Sequence, residues 1–420
     1  MRIILPFIIM TLALPVSGWS MAFDVTNSSD GGYVIAGATG LNYKWSYAWL
    51  IKVDSQGNEI WNKTYIGECR SQAWNVVKVE DGYVIGGVTG CHGNDAWIVK
   101  LDWAGNILWQ KKYGYSGEGD SATSIVGDEG GVVASITIAP CDDGCINEDV
   151  WLVRLDESGK EVWKKEIDYK EYDSIKRIKR TSDGGYIGVG CVGDYKGGLR
   201  PYGNYDIWIV KFDGNGKVEW NRTFDFGFDD IAWDVAEVGD GYIIVGEVWN
   251  VEVENFANTT TPVKAIVLKL DRNGNLEWEK FFEFGKITVG WSVAANENNK
   301  VIAGSGGNES GFIWVSAMGD WIEIIKGNFT FLSFVFGTVR ILNVTDGYVV
   351  ISSKECKDGA CVWLGKLSFD GKLVWEKTYK GLSNVKIAKT EEEGKNSFPA
   401  MAVFLLVIAI LVGYLLYRMT

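Results

Sequence analysis

Between Asp30 and Tyr379 one pattern returns seven times: an Asp-Gly turn, an apolar strand closing near glycine, a Trp-x-x-Lys strand, then Asp-x-x-Gly-Asn and a strand holding tryptophan. A unit of roughly 50 residues built only of short strands cannot bury its own faces, so each copy must stack on its neighbours. The best-kept copies are DGYVIGG (Asp81 to Gly87) with AWIVKLDWAGNILWQKKY (Ala96 to Tyr113), and DGYIIVG (Asp240 to Gly246) with AIVLKLDRNGNLEWEKFF (Ala265 to Phe282). Turn signals at Asp30-Gly31-Gly32, Asp81-Gly82, Gly130-Gly131, Asp183-Gly184-Gly185, Asp240-Gly241, Asn298-Asn299 and Asp346-Gly347 put Gly or Asn where tight hairpins need φ > 0. Tryptophans Trp61, Trp109, Trp163, Trp220, Trp278 and Trp375, with Trp321 as a degenerate member, give the same count.

Each unit reads as four strands, a to d, with the period-two alternation of β-branched and aromatic residues that a half-buried pleated strand requires. Unit five runs IAWDVAEV, DGYIIVG, KAIVLKLD and NLEWEKFF. Four-stranded units of this period arranged radially make a β-propeller, so the expected fold is all-β, a seven-bladed propeller over residues 19–388. Unit six is worn: Asn298 to Gly304 keeps a faint turn, and Ala317-Met318-Gly319-Asp320 replaces Asp-x-x-Gly-Asn. The cations Lys52, Lys100, Arg154, Lys211, Lys269 and Lys366 recur at one place in strand c, which points to ion pairing between blades or to solvation, and to scaffold rather than active site.

Both ends carry membrane-related signals. Residues 1–18 hold Arg2, an apolar stretch from Ile3 to Leu14 and the small residues Val16-Ser17-Gly18, a pattern that suits a signal peptide cut before Trp19, with an uncleaved N-terminal anchor as the alternative. Ala400 to Tyr417 is an uncharged apolar run near the length of a transmembrane helix, behind a polar stalk at 389–399 and before a short tail at 418–420. Arg418 after the run and Glu391-Glu392-Glu393 before it place the tail inside and the propeller outside. Seven Asn-x-Ser/Thr sequons, at Asn27, Asn62, Asn221, Asn258, Asn308, Asn328 and Asn343, agree with export and are candidate glycosylation sites.

Seven cysteines fall in loops of one face on the strand map: Cys69 in a d-to-a loop, and Cys91, Cys141, Cys145, Cys191, Cys356 and Cys361 in b-to-c loops. In an oxidising compartment Cys141 with Cys145, Cys356 with Cys361 and Cys69 with Cys91 make local disulfides and leave Cys191 over. Zinc is the competing reading, but CDDGC and CKDGAC lack the usual two-residue spacing, and the chain has a single histidine.

The same face has the variable loops, and long irregular loops on a rigid scaffold are where recognition sits. It is acidic: Asp142, Asp143, Glu148, Asp194, Glu252 and Glu254 are the candidate ligand contacts, beside Glu118, Asp149 and Asp229. Asp120, Asp173 and Asp230 recur just before strand a, where three carboxylates around a channel mouth suit calcium; the preferred alternative is turn formation, since unit two has Ser71 there. No other cofactor is expected. A net charge of −13 with no basic stripe excludes nucleic acid as a partner. His92, flanked by Cys91 and Gly93 with no orienting partner, leaves little basis for nucleophilic catalysis.

At these repeat residues the chain resembles the exported archaeal and bacterial β-propeller repeat proteins, whose units read DGGYhhhG and WhhKhDxxGNhhW (h, apolar), and is distantly similar to quinoprotein propellers of the pyrroloquinoline-quinone type. The resemblance covers residues 19–388 and implies the fold and a docking role for the terminal Trp of each blade. Seven units rather than eight, and no adjacent cysteine pair, depart from the quinone enzymes. The expected function is a membrane-anchored cell-surface module that binds a surface protein or polysaccharide. An extracytoplasmic enzyme, quinone-dependent or carbohydrate-active, is the runner-up.

Overall fold

The computed structural model describes residues 19–42, 45–67, 69–91, 93–114, 119–139, 148–194, 205–249, 263–296, 299–307, 311–318, 321–329, 339–357 and 359–381. They form a seven-bladed propeller. Blade 1 is β1 (Trp19–Asn27), β2 (Tyr33–Asn42), β3 (Trp45–Val53) and β4 (Glu59–Tyr65); blade 2 is β5 (Arg70–Val79), β6 (Gly82–Gly90), β7 (Asp95–Asp102) and β8 (Ile107–Tyr113). Blade 3 is β9 (Ser121–Asp128), β10 (Gly131–Ile138), β11 (Asp149–Asp156) and β12 (Glu161–Ile167); blade 4 is β13 (Tyr172–Arg180), β14 (Tyr186–Gly193), β15 (Asp206–Phe212) and β16 (Val218–Phe224). Blade 5 is β17 (Asp229–Val238), β18 (Gly241–Trp249), β19 (Lys264–Asp271) and β20 (Leu276–Phe282); blade 6 is β21 (Ile287–Ala295), β22 (Lys300–Gly307), β23 (Gly311–Ala317) and β24 (Trp321–Phe329). Blade 7 is β25 (Arg340–Val344), β26 (Gly347–Cys356), β27 (Gly359–Leu367) and β28 (Leu373–Tyr379). Every blade is an antiparallel meander, and unit six, worn in sequence, keeps all four strands.

The blades dock through two repeated contacts. The c-to-d turns place Gly57, Gly105, Gly159, Gly216 and Gly274 at φ between +76 and +80°. Trp375, Trp61, Trp109, Trp163 and Trp220 of the preceding blade lie on these glycines so closely that a Cβ would meet the indole at 2.7–3.1 Å. Glycine is thus required twice over, for the left-handed backbone and for the ring above it. Blade 6 has lost that turn, and Trp278 before it is 39% exposed. Tyrosines at the end of strand d repeat the contact: Tyr65 Oη donates to the Gly105 carbonyl at 2.8 Å and Tyr379 Oη to the Gly57 carbonyl at 2.7 Å. Blade 7 therefore grips blade 1 as blade 1 grips blade 2, and the ring closes without an exchanged strand among the described residues. Gly381 N completes the seam by donating to Ser20 Oγ at 2.8 Å, as Gly67 N does to Ser71 Oγ.

Inside the ring a polar belt runs through strand a. Bulges shift the register between Ala22 and Asp24, Ala73 and Asn75, Ile175 and Arg177, Ala232 and Asp234, and Gly290 and Ser292. The residue after each bulge, with Ser124 and Arg340 in the matching places, turns toward the next blade. Asp24 accepts from Val76 N, Asn75 from Ile125 N, Ser124 from Ile178 N, Asp234 from Val293 N and Ser292 from Ile341 N. Arginine cannot accept, and the two positions that carry it pair with carboxylates instead. Arg177 reaches Asp24 at 3.3 Å and Asp234 at 3.8 Å, and Arg340 reaches Asp24 at 3.9 Å.

The strand-c cations behave differently from the sequence expectation. Lys52, Lys100, Arg154, Lys211, Lys269 and Lys366 pair within their own blades, with Asp30, Asp81, Asp128, Asp183, Asp240 and Asp346. The b–c register is the reason: it sets each cation beside the residue that follows the Asp-Gly turn, as Lys100 faces Val84. Five of the six are buried, and only Arg154 is partly exposed, so solvation is not their role. Lys100 Nζ adds one contact between blades, to the Glu157 carbonyl at 3.1 Å. Blade 6 has Ala317 at this position and has lost the pair.

Candidate functional site

Strand a starts on the face that also holds the b-to-c connections. Those after β10, β14 and β18 span 139–148, 194–205 and 250–263, whereas blades 1, 2, 6 and 7 cross in a few residues. Length is concentrated on three consecutive blades. Asp142, Asp143, Glu252, Glu254, Cys141, Cys145, Glu118 and His92 lie outside the described residues. The stems of the connections, with Glu148 and Asp194, are described.

The backbone of this rim links blades in one recurring way. Asp120 N donates to the Asn94 carbonyl, Asp173 N to Glu148, Asp230 N to Tyr205 and Thr288 N to Val263, at 2.7–2.9 Å. The side chains of the same residues cap backbone nearby: Asp173 accepts from Tyr169 N and Lys170 N, Asp230 from Phe226 N, Asp120 from Ala139 N, and Thr288 from Phe284 N. Serine, threonine and aspartate are interchangeable at such a cap. Asp120, Asp173 and Asp230 are each fully buried. Burial pushes Asp173 up to about 6 and Asp230 up to about 7, although backbone N–H groups favour their charged forms. The described residues hold one group of three carboxylates whose oxygens lie within 4.8 Å of one another, Asp149, Asp168 and Asp173; Asp120 and Asp230 are not in it.

Blades 4 and 5 carry the most crowded chemistry. Glu247 is buried, accepts from Trp233 Nε1 at 3.2 Å, and is pushed up to about 7 by burial and then by Asp229 and Asp230. Burial also raises Asp206, as it does Asp149, which Asp168 and Glu166 push further. Lys170 offsets some of this charge, 3.1 Å from Asp194 and 3.7 Å from Asp206. Lys176 Nζ donates to Ser174 Oγ at 2.8 Å, and Tyr172 and Tyr205 rings meet at 4.6 Å. Aromatic surfaces, buried acids and two lysines can hold a ligand rich in donors. Cys191 does not serve as a thiolate nucleophile here, because it is 1% exposed and burial pushes its thiol up to about 12.

Cys69–Cys91 and Cys356–Cys361 are disulfides, as the spacing led one to expect. The first pins a d-to-a loop to the b-to-c connection of blade 2, and the second staples the tip of the β26–β27 hairpin. Cys191 is a free thiol, but it sits in the middle of β14 opposite Ser174 and not in a loop. The strand simply continues beyond the point where glycine-rich sequence suggested its end. Among the sequons Asn27 is exposed, while Asn62, Asn221 and Asn343 are half-buried in strands. Asn62 Oδ1 accepts from Trp49 Nε1 at 2.6 Å. Asn328 lies in β24, and Asn258 and Asn308 fall outside the described residues. No helix among the described residues is long and apolar enough to cross a membrane, and the run 400–417 is outside them.

The cap position was visible in the sequence at Asp120, Asp173, Asp230 and Ser71, but the belt was missed because its residue types change from blade to blade. Counting four residues on from each cap, Ser71 to Asn75 or Asp230 to Asp234, finds the belt.

The sequence matches no protein-family profile and no curated protein. Similar solved structures share the fold at low identity. A puromycin hydrolase mutant complexed with PGG is 12% identical with TM-score 0.54, over 86% of this chain and 55% of that one, so the chain spans about half of it. An ACO/RPE65 chimera is 11% identical with TM-score 0.53, over 87% and 93% of the two chains. Cobalt-substituted ACO from Synechocystis is 11% identical with TM-score 0.51, over 87% and 94%. The likeness establishes a β-propeller and nothing finer.

Proposed function

We propose that this chain is a membrane-anchored cell-surface propeller of the exported repeat type, which binds a surface protein or polysaccharide through the b-to-c connections of blades 3, 4 and 5. One observation carries the reading: the connections 139–148, 194–205 and 250–263 belong to three consecutive blades, while the other blades cross from b to c in a few residues. Uniform blades with one variable sector are what a rigid platform for recognition requires. The acidic stems, Glu148, Asp149, Asp194, Asp206 and Glu247, favour a partner that presents cationic groups or many hydroxyl donors. Two disulfides, seven sequons and the apolar segments at 1–18 and 400–417 support an extracytoplasmic platform anchored by its C-terminal segment.

The test compares the full chain with a variant whose 250–262 segment is replaced by a two-residue Asn-Gly turn, on a glycan array and on immobilised surface proteins. The reading expects a partner held by the natural chain, in a salt-sensitive way, and lost by the variant. Equal binding by both would overturn it.

A further inference from the structure

The opposite face of the ring, made of a-to-b and c-to-d turns, carries one blade-specific irregularity. In five blades strand b opens with a tyrosine: Tyr33, Tyr83, Tyr186, Tyr242 and Tyr348, all 0–4% exposed. Each ring slots between its own blade and the a-to-b turn of the blade before. Tyr83 Oη lies 2.7 Å from Ser28 Oγ of blade 1, and Tyr186 is hydrogen-bonded to Asp128 of blade 3. The strand register puts Val132 of blade 3 in this place, since Val132 faces Leu155 as Tyr83 faces Leu101. Blade 6 has Lys300 there, a long chain whose charge reaches Asp240 of the preceding turn. Blade 3 alone offers a short apolar side chain where the others send something long.

A cavity of about 530 Å³ opens at that position. Its walls are the blade 2 turn from Lys78 to Asp81 and the blade 3 segment from Gly127 to Val132, with Val84, Lys100 and Trp109 beneath and Arg180 at the edge. Val79 stands where Asp128 receives the tyrosine hydroxyl one blade later, so Val79, Val84 and Val132 give an apolar patch in a cavity also lined by Glu80, Asp81, Asp128, Glu129, Asp156 and Glu157. The Lys100–Asp81 pair, 2.9 Å apart, borders it. That size is right for a small-molecule site. We propose that this cavity is a binding site for a phenol-class aromatic ring, taking from outside the group that the fold's own tyrosines supply at the equivalent slots. It is separate from the blade 3–5 loops and does not depend on the function read from them.

The experiment titrates the full chain in detergent with p-cresol, the tyrosine side chain alone, and with N-acetyltyrosinamide, which carries the ring on a peptide backbone. Saturable binding with a dissociation constant on the order of 1 mM is expected for at least one of them. The tighter of the two tells whether a free phenol or a peptidyl tyrosine is the natural occupant. Val132→Tyr should fill the slot, raise Tm and weaken binding by about tenfold or more. Val132→Leu, a smaller filling that keeps the fold, should weaken it to a lesser degree. No saturation by either probe overturns the site, as does undiminished binding by both variants. A Val132→Tyr protein that unfolds or melts well below the natural chain also overturns it, because the slot would then not be tyrosine-shaped.

Discussion

Replacing Asp234 by Asn should unseat the ring more than any exposed charge change. The carboxylate is 3% exposed and holds Lys179 Nζ at 2.8 Å, Ser292 Oγ at 2.9 Å, Val293 N at 3.0 Å and Arg177 Nε at 3.8 Å. Burial alone would raise its pKa; Lys179, Arg177 and Arg340 outweigh that and hold it down at about 2, against 3.8 unfolded. A depression of this size corresponds to about 2 kcal/mol of stability. That stability is complete above pH 4 and is lost as the pH falls toward 2. The substitution also leaves Arg177 and Arg340 buried with one carboxylate, Asp24, between them, and breaking a buried pair costs about 3–5 kcal/mol. Differential scanning calorimetry at pH 7 should show Tm lower by roughly 5 °C or more for D234N. Glu166→Gln, which breaks a pair with partly exposed Lys164 on a largely exposed carboxylate, should cost less than about 1 kcal/mol. The gap between D234N and the natural chain should narrow from pH 4 to pH 2. A D234N protein within about 1 kcal/mol of the natural chain at pH 7 would refute the belt as a closing device.

Other outcomes follow from the same contacts. Lys211→Met should change stability by less than about 1 kcal/mol in denaturant titrations, because Asp183 and Glu219 are half-exposed and regain water. Gly274→Ala, at φ +80° with Trp220 2.7 Å from the new Cβ, should cost about 2 kcal/mol or more and raise the accessibility of that indole to quenchers. Glu247→Gln should stabilise the protein at pH 8: the natural acid has its folded pKa raised to about 7 from 4.5, so stability present below pH 4.5 is lost as the pH rises through 7. The difference in Tm between the two proteins should therefore close by pH 4. Mild reduction should free four thiols besides Cys191 among the described cysteines while far-ultraviolet circular dichroism stays near its starting value, since Cys69–Cys91 and Cys356–Cys361 clip loops and hairpin tips rather than blades.

The blade count and most strand positions were legible because the marks that define them, Asp-Gly turns and docking tryptophans, answer to local geometry that every blade shares. Cys356–Cys361 was legible because its cysteines flank one hairpin tip, and Cys69–Cys91 because the strand map put both cysteines in neighbouring loops of one face. Asp24, Asn75, Ser124, Arg177, Asp234, Ser292 and Arg340 were not, because each is chosen to fit a neighbour in another blade. No single residue type repeats often enough to make a motif. The lysine pairing was read across blades for want of a register, which only the antiparallel b–c ladder supplies. Val132 was in view within Glu129-Gly130-Gly131-Val132, but a gap in a pattern has no signature until the filled copies show what stood there.

Because blade 7 is complete in itself, with β28 on its outer edge held in the sheet by β27 and on blade 1 through Trp375, Tyr379 and the following Gly381, the two ends of the ring respond differently to force. Tension applied beyond Tyr379 reaches a ladder whose bonds lie across the pull, so they break in succession, as a zipper does. Tension applied before Trp19 reaches β1 at the inner rim, where Ala22 N is bonded to Ser353 Oγ and Asp24 ties blade 1 to blades 2, 4 and 7. A molecule tethered by its C-terminal side and pulled from its far face would thus shed β28 first and keep blades 1 to 6 intact. That makes the outer edge of blade 7 the place where mechanical load is relieved before it reaches blades 3 to 5.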